Sequence, residues 1–215
     1  MAIAFDAATD GGNGASVHSF AHTCTGDDRI LFVMASTDAG VTPSVTYNSV
    51  AMSLIDTITT DSVRDHHLFV LVNPASGSNT VAVTASAGTI FAGATSYTGA
   101  KQTGQPDSFA KNSALVASTL TGTTTVVASN CWLVALGQAD GGTVTAGTGT
   151  TKRTQYGGFA QFAIVDSNGT VGTGSQSLVI NGSLSVPMVI IVASFAPVGG
   201  VTPTASPTLL TLGVG

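Results

Sequence analysis

Every acidic residue in this chain is an aspartate, and glutamate is absent. Glutamate favours helices whereas aspartate favours turns and caps, so an acid set made only of aspartate favours strands joined by turns. The 26 glycines fit frequent turns, and the many threonines and valines fit pleated strands. No segment of the sequence combines a sustained 3.6-residue apolar pattern with helix caps. These features predict an all-β chain.

Short apolar or alternating runs recur along the chain with turn residues between them. Residues 29–36 form a compact apolar run, residues 80–84 alternate, and residues 188–195 are apolar on both faces, as in a central strand. Strands at such short spacing predict a sandwich or barrel. We therefore predict a single antiparallel β-sandwich of jelly-roll type with an extended C-terminal arm.

Three turn-forming segments punctuate these strands. Asn48-Ser49 separates two strand-like runs and predicts a two-residue hairpin turn. Asn181-Gly182 predicts another turn before the last apolar run. The glycine-rich stretch 140–149 lacks the following helix that a phosphate-binding loop requires, so it predicts a loop or an edge hairpin.

A proline- and glycine-rich segment, residues 197–207, marks a boundary near the end of the sequence. We predict that residues 1–197 form the domain and that residues 198–215 form an arm, because prolines favour extended backbone and the closing residues have strand composition. Such an arm can add a strand to a neighbour's sheet edge. The alternative is a disordered tail. The predicted assembly residues are Pro203, Pro207, Leu209, Leu210 and Leu212.

Charge is sparse and ends early. Only 8% of the residues are charged, and no Asp, Lys or Arg follows Asp166. Soluble proteins normally spread charge over their surfaces, so this neutral stretch predicts a surface that other protein covers. The basic residues, Arg29, Arg64, Lys101, Lys111, Lys152 and Arg153, form no cluster beyond the last pair. We therefore expect neither nucleic acid nor an anionic membrane as a partner.

The first residues lack the basic and apolar regions of a signal peptide, and the apolar stretch 186–198 is too short for a membrane helix. We expect synthesis in the cytoplasm. Cys24 and Cys131 are the only cysteines, and we favour two unpaired thiols in or near the core over one disulfide.

The sequence offers few candidates for chemistry. His18 and His22 share one face of a predicted strand, and His66 and His67 would complete a zinc or hydrolase site only if the two strands were neighbours. The structural alternative places His66 and His67 on opposite faces of their strand. Asp27-Asp28 can either bind calcium or cap the turn before Arg29. We predict no enzymatic activity, no resident metal and no cofactor.

A small sugar-contacting loop is the remaining candidate site. Tyr156 lies beside Lys152 and Arg153 and can offer an aromatic face with polar neighbours, whereas the apolar neighbours of Trp132 indicate a core position. A glycan-binding host-recognition module on a tail or fibre is therefore the alternative function. It requires Tyr156 to be exposed.

Four segments resemble a β-sandwich module found in virion proteins of tailed bacteriophages and in bacterial surface proteins. The segments are residues 19–33, 45–52, 71–84 and 94–106, including the pair His22-Thr23, a turn at Gly26, and the Leu31 strand. The family more usually has a glycine pair where this chain has Asn48-Ser49. The resemblance covers roughly residues 16–107 and carries over no catalytic residue.

The resemblance implies a structural role on a particle or cell surface, and the absence of a signal peptide favours a virion. We expect a non-enzymatic bacteriophage structural protein, most simply a capsid decoration or cement protein or a related head or tail component. Its expected partners are other virion proteins, capsid or tail subunits, and copies of itself in a homo-oligomer.

Overall fold

The computed structural model describes residues 1–60 and 63–199, and all regular structure in this part of the chain is β. No helix there is long and apolar enough to cross a membrane. The strands are Ala4–Gly14 (β1), Val17–Cys24 (β2), Ile30–Asp38 (β3), Ser44–Tyr47 (β4), Val50–Ala51 (β5), Ser53–Thr60 (β6), Arg64–Val72 (β7), Gly77–Thr84 (β8), Ile90–Thr98 (β9), Ser108–Val126 (β10), Trp132–Ala139 (β11), Val144–Ala146 (β12), Thr151–Tyr156 (β13), Phe159–Asp166 (β14) and Gly174–Phe195 (β15).

The strands form three antiparallel sheets. Sheet 1 has the order β2-β8-β4-β5, and sheet 2 has the order β1-β9-β3-β7-β6. Sheet 3 has the order β10-β15-β11-β14-β13, and β12 pairs with β15 beside that path. The predicted all-β antiparallel sandwich is confirmed, while the jelly-roll connectivity stays a prediction.

Strand β3 shows how the sheets are stacked. Its alternate residues Phe32 and Met34 pack in the core between sheets 2 and 3. Leu31 and Val33 pack in a second core between sheets 1 and 2. Because successive side chains of a strand point to opposite faces, both faces of sheet 2 are buried. The uninterrupted apolar sequence of β3 follows from this two-sided burial.

Aromatic rings fill the centre of the core between sheets 2 and 3. The ring centroids of Tyr97 and Phe195 lie 4.8 Å apart, and those of Phe32 and Phe195 lie 5.3 Å apart. Trp132 joins this cluster with only 7% of its surface exposed, so its predicted core position is confirmed. Offset and edge contacts of this kind stabilise aromatic pairs beyond the area that they bury.

The long strands β10 and β15 fold back over sheet 3. One half of this pair belongs to sheet 3, while the other half, residues 119–126 and 174–181, forms an outer ribbon. Leu120, Leu178 and Ile180 of the ribbon pack in one core with Leu133 and Ile190 of sheet 3. The pairing of β10 with β15 is irregular between residues 114 and 119, where the fold-back occurs. Sheet 1, sheet 2, sheet 3 and the ribbon therefore form four layers.

The structure confirms one of the two predicted turns and contradicts the other. Asn48 and Ser49 have φ angles of 48° and 64° between β4 and β5, as a type I′ hairpin turn requires, so this prediction is confirmed. The predicted turn at Asn181-Gly182 is wrong, because both residues lie inside β15. The stretch 140–149 contains the short strand β12, which pairs with residues 180–182 at the edge of the ribbon.

The predicted arm lies mostly outside the described residues. Backbone contacts hold the chain up to Val198, whose N–H donates to the Gly99 carbonyl at 2.9 Å, and Pro197 bridges to Ala100. The predicted assembly residues Pro203, Pro207, Leu209, Leu210 and Leu212 all fall beyond the described part of the chain. The domain boundary and the arm stay predictions.

The close approach of ribbon and sheet generates a test at Gly137 of β11. A Cβ atom there would lie 2.8 Å from Ile180 Cδ1 and 3.1 Å from its Cγ2, so Gly137→Val should destabilise the fold by about 1–3 kcal/mol. A Cβ atom at Gly172 would have Gln176 Nε2 at 3.8 Å as its nearest neighbour, an ordinary contact, and the φ of Gly172 is not positive, which makes Gly172→Val the matched control. Urea denaturation measures both free energies of unfolding. Equal values for the two variants would contradict the fold-back of the ribbon onto sheet 3.

Candidate functional site

His22 is the centre of a buried hydrogen-bond chain between β1, β2 and β9. Ser96 Oγ donates to Asp6 Oδ2 at 2.7 Å, so it accepts from His22 Nε2 at 3.0 Å. His22 Nδ1 then accepts from the Thr9 hydroxyl at 2.8 Å. Burial lowers the pKa of His22 to about 4 against the raising effect of Asp6, which keeps the ring neutral near pH 7. In this arrangement the Ser96 hydroxyl points its proton at a carboxylate, not at the histidine.

His66 and His67 point to opposite faces of β7, as the structural alternative predicted. His67 contacts the hydroxyls of Thr37 and Thr57 at 3.0 Å and 2.8 Å, and burial lowers its pKa to about 4. His66 contacts the Tyr156 hydroxyl through Nδ1 at 3.3 Å, while its Nε2 has no partner. Burial, aided by the charges of His67 and Arg64, lowers the pKa of His66 to about 3.

These histidines do not assemble into a metal centre. Among the described residues, no group of three or more His, Cys, Asp or Glu side chains is placed to hold an ion. The Asp27 and Asp28 carbonyls accept the N–H groups of Gly99 and Ala100, at the turn that precedes β3. These are backbone contacts, so the cap that the sequence offered as an alternative to calcium binding stays a prediction.

The predicted sugar-contacting loop is not an exposed aromatic platform. Tyr156 has no exposed surface, and its ring lies 4.7 Å from that of Phe162 in the core between sheets 2 and 3. The predicted exposure of Tyr156 is therefore wrong. The sequence pattern indicates a loop at this position, but β13 ends at Tyr156 and turns its ring inward.

The two cations beside Tyr156 are also engaged within the fold. Lys152 Nζ donates to the Val144 carbonyl at 3.0 Å. Arg153 Nε donates to Asp166 Oδ2 at 2.6 Å, and its guanidinium stacks 4.1 Å from the centroid of the Phe5 ring. Asp166 is fully buried and also accepts from the Tyr97 hydroxyl at 2.9 Å. This cluster ties sheet 2 to sheet 3.

Cys24 and Cys131 are both buried and unpaired, which confirms the favoured prediction of two core thiols. Burial raises the pKa of both thiols, so neither is a thiolate near pH 7. Cys131 Sγ donates to the Ala128 carbonyl at 3.2 Å. Their environment is that of structural cysteines, not of reactive ones.

Two open depressions in the described surface are lined by residues that the sequence did not single out as a site. One of about 380 Å³ lies between Met1, Asn130, Thr170 and Val198, where the described chain ends. Another of about 270 Å³ lies on the outer face of sheet 1, between Asn48 and Asn79. Neither has a histidine or an aspartate in its lining.

The two outer layers have a shared surface character. The strands of sheet 1 contain no Asp, Lys or Arg, and serine, threonine and alanine dominate their exposed positions. The ribbon is equally neutral. Its outward residues are Thr119, Thr121, Thr123 and Thr125 on β10, and Ser175, Ser177, Val179 and Asn181 on β15. The charge-free end of the sequence predicted the neutrality of β15, but the neutrality of sheet 1 and of the ribbon part of β10, residues 119–126, was missed.

The fold-back of the ribbon adds exposed apolar side chains to this neutral surface. Leu115, Val116 and Leu184 are 78%, 75% and 54% exposed. All three lie where β10 and β15 leave sheet 3, and no charged residue lies within the stretches 112–139 or 167–199. Exposed apolar side chains of this kind are typical of a surface that contacts protein.

The buried cation of the inner cluster gives a stability test. Arg153→Ala should destabilise the fold by about 3–5 kcal/mol, because it leaves the Asp166 carboxylate buried without its charge partner. Lys111→Ala removes the exposed ion pair with Asp56 and should cost less than about 1 kcal/mol. Chemical denaturation of both variants measures the difference. Similar losses would show that Asp166 does not depend on Arg153.

The three buried histidines predict an acid-sensitive fold. Their pKa values are about 3 to 4 in the folded chain against 6.5 for a histidine in water, so the unfolded chain binds more protons below pH 6.5. Stability should be full above about pH 6.5 and fall as the pH drops towards 4, by about 2 kcal/mol per histidine at pH 5. His66→Leu should flatten this dependence in urea denaturation series. A stability that is constant between pH 7 and pH 5 would contradict the burial of the three rings.

Comparisons with known proteins assign neither a family nor a function to the chain. No protein-family model matches the chain, and searches of curated proteins and of solved structures find no match.

Proposed function

We propose that this chain is a non-enzymatic structural protein of a virion, a capsid decoration or cement protein or a related head or tail component. Its partners are other virion proteins and copies of itself. The observation that carries the proposal is the neutrality of both outer layers of the stack, sheet 1 and the ribbon. The resemblance of residues 16–107 to virion modules of tailed bacteriophages supports the setting.

Neutral outer faces favour close contact between proteins. Hydroxyl-bearing side chains can exchange water for hydrogen bonds across an interface, whereas a buried charge without a partner costs far more. The exposed apolar side chains at the fold-back, Leu115, Val116 and Leu184, add roughly 25 cal/mol for each Å² that a neighbour covers. On a particle, many such weak contacts act together through multivalency.

The C-terminal segment supplies the second element of the proposed mechanism. The described chain ends at Gly199 beside the depression between Met1 and Thr170, at the surface of the domain. Residues 200–215 contain no charge, and prolines at 203 and 207 precede Leu209, Leu210 and Leu212. We propose that this arm adds a strand to a sheet edge of a neighbouring subunit.

The interior of the domain favours a structural role over the alternative of glycan binding. Tyr156 is buried, and Lys152 and Arg153 are engaged with residues of the same chain. The described residues therefore offer no aromatic platform at the predicted position.

Removal of the arm tests the mechanism. Truncation after Gly199 keeps the bond between Val198 and Gly99, so the domain should stay folded. The truncated chain should fail to join particles when it is co-expressed with the other virion proteins of its source, as measured by co-sedimentation and electron microscopy. The replacement of Leu209, Leu210 and Leu212 by serine should have the same effect, because it removes the apolar contacts of the arm.

The matched control changes the neighbouring positions of the same segment. Thr208→Ser with Thr211→Ser keeps the length and the leucines, and this variant should join particles normally. Normal incorporation of the truncated chain would refute the arm mechanism. Absence of the full-length chain from every particle would refute the virion role itself.

A further inference from the structure

Strand β10 has a long free edge. It lies at the end of the strand order of sheet 3 and pairs only with β15, so its other edge has no strand partner within the described residues. The irregular pairing between residues 114 and 119 ends where the ribbon begins. Residues 119–126 therefore form a regular extended edge in the outermost layer.

This edge lacks the devices that normally prevent strands from pairing with other chains. Such devices are prolines, charged side chains, bulges and covering loops. Residues 119–126 contain neither proline nor charge, and their pairing with β15 is regular. Two charged side chains lie near this segment, and both are engaged within the chain. Lys111 is bound to Asp56 and to the Thr57 carbonyl on β6, and Asp107 accepts from the Val127 and Ala128 N–H groups just after the segment. Two side chains from the first half of β10 reach the ribbon part of the same strand. The Asn112 amide donates to the Thr121 carbonyl at 2.8 Å, and Ser108 Oγ accepts from the Thr124 hydroxyl at 2.9 Å.

We infer that residues 119–126 pair antiparallel with the same residues of a second copy of this chain, around a two-fold axis near Gly122. A two-fold axis brings a strand edge against an identical edge in antiparallel direction, which closes the assembly as a dimer. Thr121 then lies opposite the partner's Thr123, and outward residues meet outward residues. The outer faces of the two ribbons join into one continuous neutral face.

The residues of this strand are complementary to themselves. Thr119, Thr121, Thr123 and Thr125 face outwards, and threonine pairs are favourable across antiparallel strands. Leu120, Thr124 and Val126 face inwards and are buried by sheet 3, so the strand is held extended before it meets a partner. With no charge on either strand of the ribbon, two copies of a chain with a net charge of −5 approach through a face that carries none of that charge.

The dimer is independent of the proposed function, because it concerns the isolated chain in solution. An interface limited to one strand edge and its margins falls below the roughly 1,200 Å² of stable complexes, so we expect a dissociation constant in roughly the micromolar range. Sedimentation equilibrium from about 1 μM to about 1 mM chain should show a monomer that converts to a dimer. Hydrogen exchange of residues 119–126 should slow as the concentration rises.

A pair of charge variants tests the position of the interface. The double variant Thr121→Lys with Thr123→Lys places like charges across the two-fold axis and should remain monomeric at every concentration. Thr42 is exposed in the loop between β3 and β4, so Thr42→Lys is the control and should dimerise like the original chain. Equal melting temperatures of the original chain, the double variant and the control, each as a monomer, would show that the substitutions leave the fold intact.

Three outcomes would overturn the inference. The first is that the original chain remains monomeric up to the highest concentration. The second is that the double variant dimerises as well as the control. The third is that truncation after Gly199 abolishes the dimer, because the C-terminal segment would then be the occupant of the interface. Failure of the virion role leaves the dimer untouched, because its measurement needs no particle.

Discussion

Burial of both faces of the two inner sheets is the constraint on which this structure depends. Sheet 2 is covered by sheet 1 and sheet 3, and sheet 3 is covered by sheet 2 and by the outer ribbon. Sheets 2 and 3 packed only on each other would each leave one apolar face in water, so each inner sheet requires a second covering layer. Sheet 3 obtains that layer from its own strands β10 and β15, which are long enough to fold back over it.

Two-sided burial also determines what the polar interior groups do. His22, His66 and His67 lie between layers as neutral rings, and neighbouring hydroxyls bind most of their nitrogens. Arg153 and Asp166 form the one ion pair among the described residues with a fully buried carboxylate. Such groups need internal partners because water cannot reach them. Their arrangement stabilises the contacts between layers and predicts the pH dependence of stability.

The two outer layers, sheet 1 and the ribbon, differ from the inner sheets in charge. Charged side chains lie on the inner sheets, their ends and their connections, and the strands of sheet 1 and of the ribbon have none. Charge on exposed sheets normally limits association, so its absence leaves neutral hydroxyl faces and a free β10 edge available to other proteins. The surface of the described residues therefore favours the proposed role in assembly.

The sequence alone determined local features, because they depend on neighbouring residues. The apolar run of β3, the type I′ turn at Asn48-Ser49 and the core position of Trp132 were all predictable. The glycine-rich β1 has no strand pattern of its own and is held by pairing with β9. The burial of Tyr156 and the fold-back of β10 and β15 depend on residues distant in sequence. Tertiary structure decided these features, because which side chain is covered depends on the layer packed against it.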